Sequence, residues 1–363
     1  MTLALGCALL PRRAAAEHRE WPGTVAWAAL LGLATAGAVF WLQQHPLSPR
    51  WLYYALMFVA PTLGCLAFFR RPVRLAFCFM AVLAATMWPL SARVRTIHRA
   101  RSFFGILQVT HDVLRNTHSL KHGCTTHGIQ SLDPARRREP LSYFSRSGPL
   151  GEVMAIVPEK LKQQVAVVGL GAGTVACYGE RGQQWTFFEI DPEVERIARK
   201  PRLFSFLADC PADVTVTLGD ARLSLEREPD GRFGVMILDP YNSDTPPLHL
   251  LTREALALYR RKLAAEGVMA FHISTTHLDL KSVLANLAHD AGLCALQWMD
   301  FPNRERRARG EAPSRWSVMT PHPPSVECLA RSGYWKPLRP HPVVGLWTDD
   351  YASVFRVWSW GWD

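Results

Sequence analysis

The sequence predicts an α/β protein in which a mostly parallel sheet follows a small β-domain and an N-terminal apolar helical region. Two observations predict the parallel sheet. The apolar run Val165–Val168 leads directly into glycines at alternate positions, and strand-like and helix-like segments alternate after it. A third observation, long uncharged runs before Arg93, predicts helices of membrane-spanning length.

The amino-acid composition limits the classes of function that the chain can have. The chain has 363 residues, of which 48% are hydrophobic, so it can bury a sizeable core and hold more than one domain. Much of its net charge of +10 is arginine beside apolar runs or in the clusters Arg136–Arg138 and Arg304–Arg309. That placement favours membrane-flanking and solvated charge over nucleic-acid binding. The 8 cysteines show no C-x-x-C spacing, which argues against a zinc site or a disulfide framework.

The first segment of the chain, residues 1–98, contains long apolar runs. They are Val25–Leu42, Trp51–Phe69 and Val73–Leu90, with arginines at the joints; only the third run contains a charged residue, Arg74 near its start. Each has about the length that crosses a bilayer core of roughly 30 Å. We therefore expect about three transmembrane helices, a multi-pass protein of the inner (plasma) membrane, and lipid as a partner. A bundle of buried soluble helices is the alternative, and arginines on both sides leave the orientation open.

Residues 99–160 are predicted to form the small β-domain. Ser102–Val109 has the composition of a strand, and His122–Gln130, Pro140–Phe144 and Gly148–Gly151 follow as short segments separated by turns. Nothing in this stretch has the length of a long helix. The sequence therefore predicts short strands here.

Residues 161–320 alternate between the two element types, and residues 321–363 form a C-terminal extension that we expect to pack on them. After the first strand, the predicted elements are a strand at Trp185–Ile190, a helix from Pro192 to about Ala208, strands at Val214–Leu218 and Phe233–Leu238, a helix after Thr252, a strand at Val268–Ile273, a helix at Leu280–Ala291 and a last strand at Trp316–Thr320. The glycine loop, Glu189, Asp220 and Asp239 all fall at carboxyl ends of predicted strands. A nucleotide-binding site is expected at that edge of the sheet.

With these residues assembled, the chain resembles the spermidine synthase-like family, specifically its bacterial membrane-fused members. The match runs from about Arg101 to Thr276, with a further piece at Trp347–Tyr351. The motifs that carry it are Ser102–Gly105, His122–Gly123, His127–Gln130, Gly148–Gly151, Gly169–Gly173, Glu189–Pro192, Gly219–Arg222, Asp239, Asp244, Pro247 and His249–Thr252. The resemblance implies a Rossmann-like class I S-adenosylmethionine-dependent transferase domain.

The resemblance also implies ligands and roles. The donor would be decarboxylated S-adenosylmethionine or S-adenosylmethionine itself, the acceptor a small-molecule amine, and neither a metal nor a nucleic acid is expected. The implied nucleotide-binding residues are Gly169, Gly171 and Gly173 in the loop, Glu189 at the ribose, Asp220 and Ala221 at the adenine, and Gln130 from the β-domain. Asp239 would hold and deprotonate the amine, and Tyr241 and Asp244 would line its channel. A homodimer and a cytoplasmic catalytic domain complete these expectations.

Departures from the family pattern keep alternatives open. Ala172 replaces an acid of the glycine loop, which would make room for the carboxylate of ordinary S-adenosylmethionine. Asp239 and Asp244 are more widely spaced than the family's catalytic carboxylates, and only Tyr143 remains of the family's substrate gate. Aminopropyl transfer to a polyamine-like amine is the leading function. Methyl transfer and a non-catalytic nucleotide-binding membrane protein are the alternatives.

Two further pairs of residues have open roles. His122 and His127 could be metal ligands, but no third ligand has suitable spacing, which favours a structural or substrate-contact role. Asp349 and Asp350 could be solvent-exposed or could close an acidic amine pocket.

Overall fold

The computed structural model describes residues 21–44, 52, 55–123, 125–241, 247–275 and 277–359. The chain forms two compact units, Met1–Arg95 and Thr96–Asp363. Each is described by itself below.

The first unit is helical. It contains α1 (Trp21–Gln44), a π-helical turn (Ala55–Val59), α2 (Ala60–Leu66) and α3 (Pro72–Arg93). Helices α1 and α3 pack closely: a Cβ added at Gly32 would lie 3.1 Å from Ala81 Cβ, and Arg74 Nε donates to Thr24 Oγ1 at 3.2 Å.

The expectation of three spanning helices is not met in the described residues. Within the described ranges, only Pro22–Leu42 is long and apolar enough to cross a bilayer, while the apolar stretch of α3 is the shorter Pro72–Ala85. The middle predicted span is interrupted because the π-helical turn leads into a short helix with Pro61 in its first turn. Its residues 51, 53 and 54 lie outside the described residues.

The second unit begins with a four-stranded sheet in the order β1-β2-β3-β4. The strands are β1 (Val94–Ser102), β2 (Gly105–Asp112), β3 (Thr117–His122) and β4 (Thr125–Ser131). The predicted strand around Ser102–Val109 is two strands joined by a turn at Phe103–Phe104, which Ser102 Oγ stabilises by accepting from Phe104 N.

The predicted short strand at Gly148–Gly151 is instead the start of helix α4 (Pro149–Ile156). Pro149 occupies the first turn, where its missing N–H costs nothing, and Leu150 and Val153 are fully buried in the core. The small β-domain therefore does not continue as strands to residue 160.

The second sheet has eight strands in the order β12-β10-β11-β9-β8-β5-β6-β7. Strands β5 (Gln164–Val168), β6 (Gln184–Glu189), β7 (Asp213–Leu218), β8 (Phe233–Leu238) and β9 (Leu263–His272) are parallel. Strands β10 (Cys294–Asp300), β11 (Ser314–Thr320) and β12 (Lys336–Pro337) extend it antiparallel. The α/β class and the parallel sheet are thus confirmed, and β10 is a strand that the sequence pattern did not indicate.

Helices connect the strands of this sheet. They are α5 (Pro192–Ala198), α6 (Ala221–Glu226), α7 (Arg253–Lys262), α8 (Leu280–Asp290), α9 (Arg304–Ala308) and α10 (Pro323–Arg331). Helix α5 ends ten residues earlier than the predicted Ala208 because Pro201 follows it closely and disfavours helical backbone before it.

Strand β5 lies at the centre of the sheet and is buried on both faces. Val165 and Val167 belong to the core cluster on one face, and Ala166 and Val168 to the cluster on the other. Its neighbours are β6 on one side and β8 on the other, so successive crossovers leave β5 in opposite directions. A crevice opens at such a switch point, beyond the carboxyl ends of the strands.

Candidate active site

A cavity lies at this switch point, and most of the predicted site residues line it. They are Gly169, Gly171, Glu189, Asp220, Ala221, Asp239 and Tyr241. The antiparallel sheet contributes Phe104, Leu107, Leu120, His122 and His127 to the lining, and His249 and Leu250 also line the cavity. The structure therefore brings together residues from the ends of β5, β6, β7 and β8.

The glycine loop takes its shape from backbone that packs against it. Gly169 and Gly171 have φ values of +92° and +53°, in the region that favours glycine. A Cβ at Gly169 would lie 2.4 Å from the carbonyl oxygen of Asp239, and one at Gly171 2.5 Å from that of His127. These close approaches leave no room for a side chain at either position.

Glu189 ties the loop to the end of β6. Its carboxylate accepts from Leu170 N at 2.9 Å and from Asp191 N at 2.8 Å. Burial raises the pKa of Glu189, while the backbone N–H groups that it accepts from oppose that rise. Each oxygen keeps lone pairs for a further donor, such as a ribose hydroxyl.

Asp220 caps helix α6 at the next position along the sheet edge. One oxygen accepts from Leu223 N at 2.9 Å, and the other lies 3.2 Å from His249 Nε2. Ala221, the first residue of α6, is buried beside it. A ligand amine at Asp220 would share the carboxylate with these partners.

Asp239 follows β8 and is paired with a residue that the sequence reasoning missed. Its Oδ1 lies 2.6 Å from Nδ1 of His272, the last residue of β9. His272 ends an apolar strand at the same sheet edge as Asp239, and that position is the signal that could have identified it. Tyr241 lines the cavity and donates its hydroxyl to the carbonyl oxygen of His272 at 3.0 Å.

His122 and His127 face the cavity together, with ring centroids 5.9 Å apart. Burial lowers the pKa of His127 to about 4, so that its imidazole is neutral near pH 7. Its Nε2 atom is buried without a hydrogen-bond partner. The described part of the chain contains no group of three or more metal-type ligands.

Three predicted site residues are not placed in the cavity lining. The Gln130 amide donates to Ser205 Oγ at 2.8 Å and to Arg137 O at 2.9 Å, and accepts from Ser205 N at 2.9 Å. Its polar atoms therefore bind protein groups and join β4 to the segment after α5. Gly173, with φ +82°, precedes the 3₁₀ turn Thr174–Tyr178. Asp244 lies outside the described residues.

Ala172 does not open space in the pocket, contrary to the interpretation drawn from the sequence. It is completely buried, and Gly128 approaches so closely that a Cβ there would lie 2.5 Å from Ala172 Cβ. Ala172 N also donates to His127 O at 3.2 Å. Strand β4 therefore occupies the space that an acidic side chain at position 172 would have filled.

The carboxylate of Asp349 accepts hydrogen bonds from two other side chains. Arg222 donates to both of its oxygens, at 2.7 and 2.6 Å, and Thr252 Oγ1 donates at 2.8 Å. The hydrogen bonds from Arg222 hold the pKa of Asp349 down at about 2. Asp349 therefore fastens the C-terminal segment to α6 and does not present a free carboxylate to an amine.

Comparison with known proteins gives a sequence similarity to set beside this geometry. No protein-family model matches the chain. The chain is 28% identical over 216 residues to a polyamine aminopropyltransferase of Vibrio vulnificus, covering 57% of this chain and 68% of that protein. The chain is thus similar to a polyamine aminopropyltransferase, as its resemblance to the spermidine synthase-like family implied. The enzyme class that this similarity indicates is a transferase.

Two spermidine synthases are among the solved structures to which the chain has a low similarity. A probable spermidine synthase from Corynebacterium glutamicum has a TM-score of 0.47 and 15% identity, covering 62% of this chain and 80% of that one. Spermidine synthase from Thermotoga maritima has a TM-score of 0.47 and 16% identity, covering 68% of this chain and 81% of that one.

Proposed function

We propose that this spermidine synthase-like chain transfers an aminopropyl group from decarboxylated S-adenosylmethionine to a polyamine-like amine. The observation that carries the proposal is the position of Asp239. Its carboxylate faces the same cavity as Glu189 and Asp220, the residues suited to a nucleoside. The similarity to a polyamine aminopropyltransferase supports the same reaction.

The proposed step needs an unprotonated, aligned amine. The amine nitrogen attacks the methylene carbon of the aminopropyl group, which is bonded to the positive sulfur. The bond between that carbon and sulfur breaks, and its electron pair remains on sulfur. Methylthioadenosine leaves, and the proton of the attacking nitrogen passes to the Asp239 carboxylate. Holding both reactants in one cavity supplies much of the rate enhancement, and proton transfer to a positioned carboxylate supplies roughly 10²–10⁴-fold.

The rest of the cavity fits a nucleoside. Apolar side chains from the antiparallel sheet (Phe104, Leu107 and Leu120) face the glycine loop and Ala221 across it. A flat base suits such walls, and Glu189 and Asp220 offer acceptors for its hydroxyl and amino groups. We propose that Asp244 adds negative charge to the amine channel.

Methyl transfer loses the observation that favoured it. The packing of Ala172 against Gly128 leaves no space there for the carboxylate of S-adenosylmethionine. Methyl transfer is therefore an outcome that the test must distinguish and is not a second proposal.

The test is a transfer assay with the full chain purified in detergent. We expect methylthioadenosine and an aminopropylated amine, detected by mass spectrometry, from decarboxylated donor and a panel of diamines and polyamines. Asp239→Asn should bind methylthioadenosine as tightly as the parent chain but transfer at least about 10²-fold more slowly. Formation of S-adenosylhomocysteine and a methylated amine would replace the proposal with methyl transfer. Tight nucleoside binding with no product from either donor would indicate a non-catalytic protein.

We also propose that α1 anchors the chain in a membrane. Its apolar stretch Pro22–Leu42 is long enough to span the bilayer, and large side chains such as Leu30 and Leu33 are exposed on it. The cytoplasm is the proposed location of the catalytic unit because its proposed donor is made there.

A further inference from the structure

The imidazole of His272 lies directly behind the carboxylate that faces the cavity. Leu238 and Phe271 are paired in the parallel register of β8 and β9, so the residues that follow them meet at the sheet edge. His272 Nδ1 and Asp239 Oδ1 are 2.6 Å apart. His272 does not line the cavity, whereas Asp239 does.

Aromatic rings hold this imidazole on both faces. Tyr143 stacks on one face at 4.4 Å and an interplanar angle of 13°, and Trp316 stacks on the other at 4.8 Å and 30°. Tyr241 fixes the backbone by donating to the His272 carbonyl oxygen. The side chain of His272 is only 5% exposed, so the ring has no room to turn toward another partner. Such enclosure orients a side chain far better than a single hydrogen bond does.

We propose that His272 is a positioning residue for the transfer reaction: its Nδ1–H holds one oxygen of Asp239, so that the other is presented to the attacking amine. This inference rests on the proposed function. A carboxylate with one oxygen fixed by a charge-assisted hydrogen bond keeps a single rotamer. Because His272 touches Asp239 and not the cavity, it acts on the amine only through that carboxylate.

Among the residues that the structure describes, the titratable side chains that face the pair have other hydrogen-bond partners or are neutral. The Tyr143 hydroxyl donates to Thr126 O at 3.2 Å, and burial raises the pKa of Tyr143 well above its ordinary value. Tyr241 donates to the His272 carbonyl oxygen, and His127 is neutral because burial lowers its pKa to about 4. His272 is thus the group placed to donate a hydrogen bond to Oδ1 of Asp239.

Two substitutions separate positioning from simple packing. In His272→Leu the hydrogen bond is lost, and we expect kcat to fall about 10²-fold while KM for the donor stays within twofold. His272→Asn keeps a donor near the position of Nδ1 and should recover activity to within about tenfold of the parent chain. His289→Asn, at an exposed site in α8, is the matched control and should change neither quantity.

Measurements that do not depend on turnover separate this inference from the proposed function. Histidine-labelled full chain should show a downfield Nδ1-bound proton resonance that is lost in Asp239→Asn. Amine affinity, measured calorimetrically on the methylthioadenosine complex, should fall about tenfold in His272→Leu. If these two effects occur but the parent chain transfers no group, His272 orients Asp239 for amine binding and the proposed function fails. If the resonance is absent, or if His272→Leu and His272→Asn lose activity equally, the positioning role is wrong.

Discussion

Gly128 shows how a single residue sets the distance between the antiparallel sheet and the nucleotide loop. A Cβ at Gly128 would lie 2.5 Å from Ala172 Cβ and 2.9 Å from Thr174 Oγ1. Both distances are shorter than real Cβ contacts, and neither neighbour is the flexible end of a long side chain. The two walls of the cavity are therefore in register only because residue 128 has no side chain.

We predict that Gly128→Ala displaces β4 from the glycine loop. Overpacking of this kind costs about 1–3 kcal/mol, and here it should appear as at least a tenfold loss of methylthioadenosine affinity by calorimetry. Removing the opposing methyl in Gly128→Ala/Ala172→Gly should recover part of that affinity, because the two residues are in contact. Gly182→Ala is the control, since Gly182 also has positive φ, at +87°, but has open space around it. An unchanged affinity in Gly128→Ala would show that β4 does not set the loop position.

At the scale of elements, helix α6 joins the nucleotide edge of the sheet to the C-terminal segment. Asp220 caps its N-terminus, and Arg222, in the same first turn, makes a two-pronged ion pair with Asp349. Thr252, which caps α7, donates to the same carboxylate. The Trp347–Tyr351 motif thus serves to hold two helix starts together beneath the cavity.

The Arg222–Asp349 pair should give the unfolding free energy a specific pH dependence. Because Arg222 lowers the pKa of Asp349 from 3.8 to about 2, its contribution is present above pH 4 and is lost as pH falls toward 2. Asp349 is 41% exposed, so we expect Asp349→Asn to cost no more than about 1 kcal/mol at pH 7 in urea unfolding. The difference between the two chains should shrink as pH falls from 4 to 2.

Glu139→Gln is the control for that measurement, since Glu139 pairs with Arg136 within one turn and joins no elements. Its cost should be close to zero. A cost for Asp349→Asn that is the same at pH 7 and pH 2 would contradict the assigned partner.

Local patterns predicted the elements that depend on local chemistry. The apolar runs at Val165–Val168 and Phe233–Leu238 indicated buried strands because both faces of these strands are covered, as the structure shows. Helix α4 was missed because its eight residues are too few to display a helical period, and tertiary packing of Leu150 stabilises it.

Site residues could be predicted from the sequence where their position follows from the order of the strands in the chain. They could not be predicted where their position depends on packing between distant segments. Glu189, Asp220 and Asp239 end strands, so sheet topology alone brings them together. The pairing of His272 with Asp239 depends on the order of strands in the sheet, and the burial of Ala172 depends on β4, which is distant in sequence. Neither relation leaves a local pattern.

At the scale of the whole molecule, the basic charge and the acidic site are separate properties. The net charge of +10 coexists with a cavity whose charged lining side chains are the carboxylates Glu189, Asp191, Asp220 and Asp239. A cationic amine is therefore attracted by the local carboxylates even though the whole chain is basic.

The last prediction concerns the first unit. If α1 spans a bilayer, two arginines near its centre, in Leu30→Arg/Leu33→Arg, should oppose insertion, since each costs about 2.5–3.5 kcal/mol on insertion scales. The parent chain should then sediment with membranes after an alkaline carbonate wash, and this variant should move largely to the supernatant. Val113→Arg/Leu114→Arg, at exposed positions of the β2–β3 turn, is the matched control and should stay with the membranes. The transfer assay on the released variant separates anchoring from catalysis, because the cavity lies wholly within the second unit. A parent chain that washes off as readily as the variant would show that α1 is not an anchor.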